Sequence, residues 1–276
     1  MSEPVFNFDD RDPAMQLAYD AAQRTFKHFW RELSWERRRI VPGLDMAMVK
    51  LPFTDGPRTD GNGEYEHMWI GDVNFDGETL SGELLNSPNW LTSVQEGDVV
   101  QAPFSKLRDW LMTVDGKAYG AFTVNQIRAA MTSKERKEHD KAWGLDFGDP
   151  ATARVEISRK GDSKGGLLSG LLGGRSGSSH KPEEFRDHPM CVNMLEKYDA
   201  QLQGEPTIAR DVVDDETGFT LLHAEALAGN LGMVKLAVAH GAEVGKRTKS
   251  GRTASELARG IGWPEIAEYL DALPKA

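Results

Sequence analysis

The sequence predicts an α+β fold, in which an antiparallel sheet with flanking helices is followed by a short all-α repeat unit. Short strand-like runs separated by Asp-Gly turns occupy the stretch from 45 to 122. Asp-Gly between apolar runs is a strong hairpin signal, because its turn needs positive φ at both central residues. Helical periodicity precedes and follows this stretch, and the last 60 or so residues repeat with a period of 33.

The first helix is predicted to begin at Asp12-Pro13, because Asp is a favoured N-cap and Pro suits the first helical position. We expect its basic exit, residues 36–39, to be solvated. Strands are predicted over 45–53, 65–75, 79–85, 98–102 and 111–122, the last of them divided by the Asp115-Gly116 turn.

Three further helices are predicted outside the repeats. Thr123 and Gln126 resemble a capping box that opens a helix reaching about Met131. A helix over 133–143 is expected to end at Gly144, and another is expected over 189–202.

Composition and charge limit the classes of function. The chain has 276 residues, a formal net charge of −10 and a single cysteine. An acidic chain is a poor binder of nucleic acid or an anionic membrane, and no apolar run has the length of a membrane helix. One cysteine fits a reducing compartment. We therefore expect a cytoplasmic protein with a protein partner, no nucleic acid, no membrane and no cofactor.

A Gly/Ser-rich stretch divides the chain. Residues 161–179 hold seven glycines and five serines, a composition typical of linkers. The expected division is an α+β domain over 1–158, a linker over 159–184, and a helical cap with two repeats over 185–276.

The C-terminal repeat carries a recognisable motif. Gly218, Thr220 and Gly229 recur 33 residues later as Gly251, Thr253 and Gly262. The first copy, DETGFTLLHAEALAGNLGMVKLAVAHGAEV, closely resembles an ankyrin repeat, and the second resembles a terminal capping repeat. The resemblance implies a structural role for His223, which would tie adjacent turns together by hydrogen bonds with Thr220. Two repeats bury too little surface alone, so the helix over 189–202 is expected to add a layer.

The N-terminal half carries a set of short motifs. They are Glu66-His67-Met68-Trp69, Gly82-Glu83-Leu84-Leu85-Asn86 with Pro88, Gly97-Asp98-Val99-Val100, Asp109-Trp110, and Gly116-Lys117 with Gly120 and Thr123. As a set they resemble a bacterial family, domain of unknown function 2314. The resemblance implies an α+β fold, a bacterial source and no known activity. Ankyrin repeats beside such a domain are similar to arrangements among bacterial proteins encoded near toxins and secretion effectors.

Candidate partner-binding residues occur in both halves. Residues 55–98 hold ten acidic residues and one basic residue, which is typical of a solvated sheet face or of a docking surface for a basic partner. Phe219 at a repeat turn tip is either a binding anchor or a cover for the junction with the first domain. The candidates are Asp72, Asp76, Glu78, Trp90 (expected at the surface), Phe219 and Arg252.

An enzymatic alternative depends on His67 and Asp109, the best acid–base candidates in the chain. The interpretation that we prefer is a buried polar pair that satisfies backbone groups. His188 and Cys191 give H-x-x-C, but zinc needs four well-placed ligands, so no metal is expected. The preferred hypothesis is a protein-binding protein, either a toxin-neutralising immunity protein or an adaptor. The alternative is an enzyme or small-ligand-binding domain.

Overall fold

The structure is a computed structural model that describes residues 12–57, 64–157 and 185–274. The predicted linker lies outside these ranges, so the division at 158 and 184 stays a prediction. The sheet is antiparallel, with strand order β4-β3-β2-β1-β5-β6. Its strands are β1 Met46–Phe53, β2 Glu66–Phe75, β3 Thr79–Leu84, β4 Val99–Pro103, β5 Asp109–Val114 and β6 Lys117–Gly120.

Helices flank the sheet and form the C-terminal unit, which confirms the α+β prediction. Three belong to the first half: α1 Pro13–Glu36, α2 Phe122–Ala130 and α3 Ser133–Trp143. The C-terminal unit contains α4 Pro189–Gly204, a short hairpin of β7 Val212–Asp214 and β8 Phe219–Thr220, and then α5 Leu221–Ala228, α6 Leu231–Ala239, α7 Ala254–Ile261 and α8 Pro264–Asp271.

Helix α1 begins where the sequence predicts. The Asp12 side chain accepts a hydrogen bond from Ala14 N at 2.9 Å and so caps the helix. Its buried residues Ala22, Phe26 and Phe29 belong to the main hydrophobic core with Met68 of β2. The helix therefore covers one face of the sheet.

A bulge in β2 keeps the apolar residues on this face. Ile70 is buried before the bulge, and Val73 and Phe75 are buried after it. Asp72 is the exposed residue at the bulge and has a φ of 46°. Because the bulge inserts one extra residue, the side chains after it switch to the other face of the sheet relative to a regular alternation. Ile70 and Val73, three residues apart, therefore join the same core.

Helix α2 does not use the capping box predicted from Thr123 and Gln126. Its N-cap is Ala121, two residues before Thr123, in the left-handed conformation with a φ of 55°, and the helix begins at Phe122. The Asp109 carboxylate on β5 instead accepts hydrogen bonds from Phe122 N at 2.9 Å and Thr123 N at 2.8 Å. A long-range side chain therefore replaces the local cap.

The ankyrin hydrogen bonds form as predicted. His223 Nδ1 accepts from Thr220 N at 3.2 Å, and its Nε2 lies 3.0 Å from Lys246 O in the turn that leads to the next repeat. Burial lowers the pKa of His223, so the neutral ring can accept at one nitrogen and donate at the other. The structural role expected for His223 is confirmed.

The two halves share one hydrophobic core. A continuous cluster of buried side chains runs from the sheet through α1 into the repeats, including Phe26, Met68, Leu222, Leu257 and Trp263. Helix α1 therefore packs between the sheet and the repeat helices.

On the sheet face that lies opposite α1, the side chains of one half point outward. We call the outward side chains of β2, β3 and β4 the open face: Asn74, Ser81, Glu83, Val99 and Gln101. Val99 is 83% exposed. The other half of this face is covered, because Met48, Leu111, Val124 and Phe147 form a second core cluster.

Candidate interaction site at the junction of the two units

Arg38 in the basic exit of α1 is part of the junction, which corrects the expectation that this residue is solvated. Arg38 Nη2 lies 2.8 Å from Glu225 Oε1, and the Glu225 side chain is only 1% exposed. Glu225 Oε2 also accepts from Asn230 Nδ2 at 2.7 Å, and Asn230 Oδ1 accepts from Trp35 Nε1 at 2.9 Å. A buried hydrogen-bond network therefore joins α1 to the first repeat.

The β2–β3 hairpin tip forms a second contact with the repeats. Asp76 Oδ1 accepts from Glu78 N at 2.9 Å and Thr79 N at 2.7 Å, which fixes the turn. Gly77 has a φ of 95°, and a Cβ there would lie 2.4 Å from Leu257 Cδ2 of α7. The predicted hairpin turn thus packs directly on the second repeat.

Two of the predicted partner-binding residues bind each other. Arg252 Nε donates to Glu78 Oε1 at 2.7 Å, across 174 residues of sequence. Both side chains are between 40% and 50% exposed, so we expect this pair to contribute at most about 1 kcal/mol to stability. Its main effect is to orient the hairpin tip against the repeat turn.

A groove of about 300 Å³ lies between the sheet and the turn tips of the repeats. We call it the junction groove. Three open-face residues, Asn74, Ser81 and Gln101, line its sheet side. The β2–β3 hairpin adds Phe75, Asp76 and Thr79 to the sheet side. The turn tips of the repeats line the opposite side with Glu216, Thr217, Phe219, Lys249 and Ser250.

The aromatic candidates are less accessible than the sequence suggested. Phe219 is only 7% exposed and stacks on His223 at 5.7 Å between ring centroids. The expectation that Phe219 is exposed is therefore wrong, and its assignment as a binding anchor or as a junction residue stays a prediction. Trp90 is half-buried and packs against the core instead of standing at the surface. Buried Glu66 holds the loop of Trp90 by accepting from Asn89 N at 2.8 Å.

The structure does not bring His67 and Asp109 together. Strand β1 separates their strands, since β1 pairs with β2 on one side and β5 on the other, which places the two backbones about 10 Å apart. Asp109 is fully buried and accepts from the backbone N–H groups of Trp110, Phe122 and Thr123. It has the structural role that was the alternative to acid–base chemistry.

Lys50 completes the polar cluster around Asp109. Its Nζ donates to Thr123 Oγ1 at 2.8 Å and lies 4.5 Å from the centre of the Trp69 ring. Thr123 Oγ1 in turn donates to Asp109 Oδ2 at 2.6 Å. Burial raises the pKa of Asp109 and lowers that of Lys50, and the attraction between the two opposes both shifts. Lys50 could not be predicted as a member of this cluster, because nothing in its neighbouring sequence marks it.

Replacing Asp109 with alanine is expected to lower the free energy of unfolding by about 2–3 kcal/mol. The variant leaves the N–H groups of Phe122 and Thr123 without their acceptor, and unpaired buried donors are costly. Urea denaturation followed by circular dichroism measures the loss. Equal stability of the variant and the wild type would contradict the capping role.

Cys191 and His188 have separate structural roles. Cys191 is buried beside Trp35 and Met233, and burial raises the pKa of its thiol to about 12. His188 caps α4 by accepting from Met190 N at 3.1 Å, and it lies 3.2 Å from Glu32. Within 12–57, 64–157 and 185–274, no group of three or more His, Cys, Asp or Glu side chains could hold a metal ion.

Comparison with known proteins identifies both halves of the chain. The profile of DUF2314, described as uncharacterised proteins conserved in bacteria, matches residues 12–147. A protein of Neisseria meningitidis serogroup B named as an ankyrin repeat protein is 39% identical over 97% of this chain and 96% of its own length.

The chain belongs to the DUF2314 family and carries ankyrin repeats. The uncharacterised protein YegJ of Escherichia coli K12 is 30% identical to this DUF2314 protein over 34% of the chain and 58% of YegJ. Mouse ankyrin repeat domain-containing protein 37 is 41% identical over 20% of the chain and 35% of its own length. The ankyrin relatives support a role in protein interaction. No helix among the described residues has the length and apolar character to cross a membrane.

Proposed function

We propose that this DUF2314 protein is a cytoplasmic adaptor or toxin-neutralising immunity protein without catalytic activity, and that it holds a basic segment of its partner in the junction groove. The observation that carries the proposal is the groove itself, because both units supply its walls. Ankyrin repeats and other repeat arrays commonly present binding surfaces of this extended kind. A partner seated there would contact the DUF2314 sheet and the repeat turn tips together.

The charges around the groove favour a basic partner. Asp76 and Glu216 line it, and the exposed Asp72 and Glu83 lie further along the same strands. Lys249 is the basic residue among the lining residues. Exposed charges act over about 8 Å at physiological ionic strength, so this excess of acid would steer a cationic segment toward the groove.

Site-specific cross-linking tests where the partner binds. A photo-reactive amino acid at Ser81, inside the groove, is expected to capture the partner in the native host, and mass spectrometry then identifies it. Lys137, exposed on α3, provides the matched position outside the groove. Capture at Lys137 with none at Ser81 would contradict the proposed location.

Neutralising three exposed acidic residues is expected to slow association with the purified partner about tenfold at low salt. The variant combines Asp72→Asn, Glu83→Gln and Glu216→Gln, because rim charges act mainly on the association rate. Asp76 and Glu78 are left intact, since one fixes the hairpin turn and the other binds Arg252. Surface plasmon resonance at two salt concentrations measures the rates.

A control variant with the same change in net charge isolates the groove. It combines Glu138→Gln, Glu196→Gln and Glu205→Gln, three exposed residues outside the groove and the open face. We expect its association rate to stay within twofold of the wild type. If both triple variants slow association equally, net charge alone acts and the groove has no special role.

A further inference from the structure

A second cavity lies on another side of the junction and is independent of the groove. Its volume is about 350 Å³, and it lies between α1, residues 155–157, residues 185–189 and Trp263. Trp263 and Phe185 supply aromatic walls, with ring centroids 6.0 Å apart at nearly a right angle. Lys27 and Arg31 line it from α1.

Arg31 is the unusual residue of this cavity. It is only 8% exposed, and its guanidinium carbon lies 3.9 Å from the Trp263 ring centre. Nη1 donates to Arg186 O at 2.9 Å. No group in the described part of the chain accepts from the buried Nε. A buried donor without an acceptor is unfavourable and calls for an explanation.

The carboxylates near Arg31 are held by other donors. They attract the guanidinium electrostatically without a hydrogen bond to its free edge, which is formed by Nε and Nη2. Glu156 lies 2.9 Å from His28 Nδ1, and Glu32 lies 3.2 Å from His188 Nε2. Asp187 Oδ2 accepts from Gly232 N at 3.0 Å, whereas its buried Oδ1 has no hydrogen-bond partner in the described part of the chain. None of these three carboxylates therefore satisfies the free edge of Arg31, which is one of the residues that line the cavity.

We propose that this cavity binds a carboxylate attached to an apolar or aromatic body. The free edge of Arg31 matches the two oxygens of a carboxylate, which guanidinium binds through paired hydrogen bonds. Trp263 and Phe185 would pack against the apolar body, and Lys27 Nζ, 4.7 Å from the Trp263 ring centre, supplies a second cation. Four carboxylates already line the cavity, which disfavours a doubly charged phosphate relative to a single carboxylate.

Calorimetry of the full chain with phenylacetate and with uncharged phenylacetamide tests the proposal. We expect phenylacetate to bind at least tenfold more tightly, because only the acid offers the bidentate partner. Arg31→Gln should weaken phenylacetate binding at least tenfold, whereas Arg24→Gln, at an exposed position of α1, should leave it unchanged. If the Arg31 variant fails to fold, the affinities of the wild-type protein for phenylacetate and phenylacetamide still test the proposal.

A peptide comparison distinguishes the two sources of such a carboxylate. A peptide ending in phenylalanine with a free carboxyl terminus should outcompete the small acid if the natural source is a protein C-terminus, and its amidated form should then bind at least tenfold more weakly. If phenylacetate binds more tightly than either peptide, the source is a free organic acid. Equal affinity for phenylacetate and phenylacetamide, or no binding of any of these probes, would overturn the proposal.

Discussion

Replacing Trp35 with alanine is expected to lower the free energy of unfolding by about 3–5 kcal/mol, the range for deleting a buried aromatic side chain. The indole is 1% exposed and packs with Cys191 and Met233. It stacks on His188 at 5.6 Å between ring centroids and donates to Asn230 Oδ1. The variant loses packing between α1 and the repeat unit, and it leaves the buried Asn230 Oδ1 without the hydrogen bond from Trp35.

Urea denaturation followed by circular dichroism measures this loss, and Leu17→Ala is the matched control. Leu17 lies on the same helix but is 66% exposed, so we expect its replacement to cost less than about 0.5 kcal/mol. If Trp35→Ala costs no more than Leu17→Ala, helix α1 does not anchor the repeats as the structure indicates.

Replacing Gly229 with alanine is expected to cost about 2–4 kcal/mol. Gly229 ends α5 with a φ of 79°, and a Cβ there would lie 2.3 Å from the Trp263 ring. The left-handed conformation alone costs an L-residue roughly 1–2 kcal/mol. Displacing Trp263, which is 3% exposed, adds the cost of overpacking a core.

Gly251→Ala separates these two contributions. Gly251 has a φ of 81°, but nothing lies within 4 Å of the added Cβ. Its replacement is therefore expected to cost only the conformational part, about 1–2 kcal/mol. Thermal and urea unfolding of both variants checks the difference, and equal losses would mean that Trp263 moves aside freely.

Local sequence signals predicted the elements of both units. The Asp12-Pro13 start of α1, the Asp115-Gly116 hairpin and the Gly144 end of α3 depend on neighbouring residues and were confirmed. The hydrogen bonds of the ankyrin repeat were also confirmed, because they join residues that lie within one period of the repeat. His223 bonds to Thr220 in its own repeat and to Lys246 in the turn that follows.

The junction could not be predicted, because its contacts join distant residues. Trp35 and Asn230 are 195 residues apart, and Glu78 and Arg252 are 174 apart. Arg38 looked like a solvated helix end because its partner, Glu225, lies in another unit. Phe219 was expected to be exposed at a turn tip, but it belongs to the main core and stacks on His223. Asp109 was correctly singled out as a buried polar residue. Its role as the cap of α2 could not be predicted, because it bonds to Phe122, 13 residues later in the sequence.

Hydrogen exchange of the full chain, with and without the partner captured at Ser81, tests most directly whether both units form one binding site. We expect partner binding to slow amide exchange both in β3–β4 of the sheet and in the repeat turn tips around 214–219 and 247–252. Protection confined to one unit, with the other unchanged, would contradict a partner held across the junction groove.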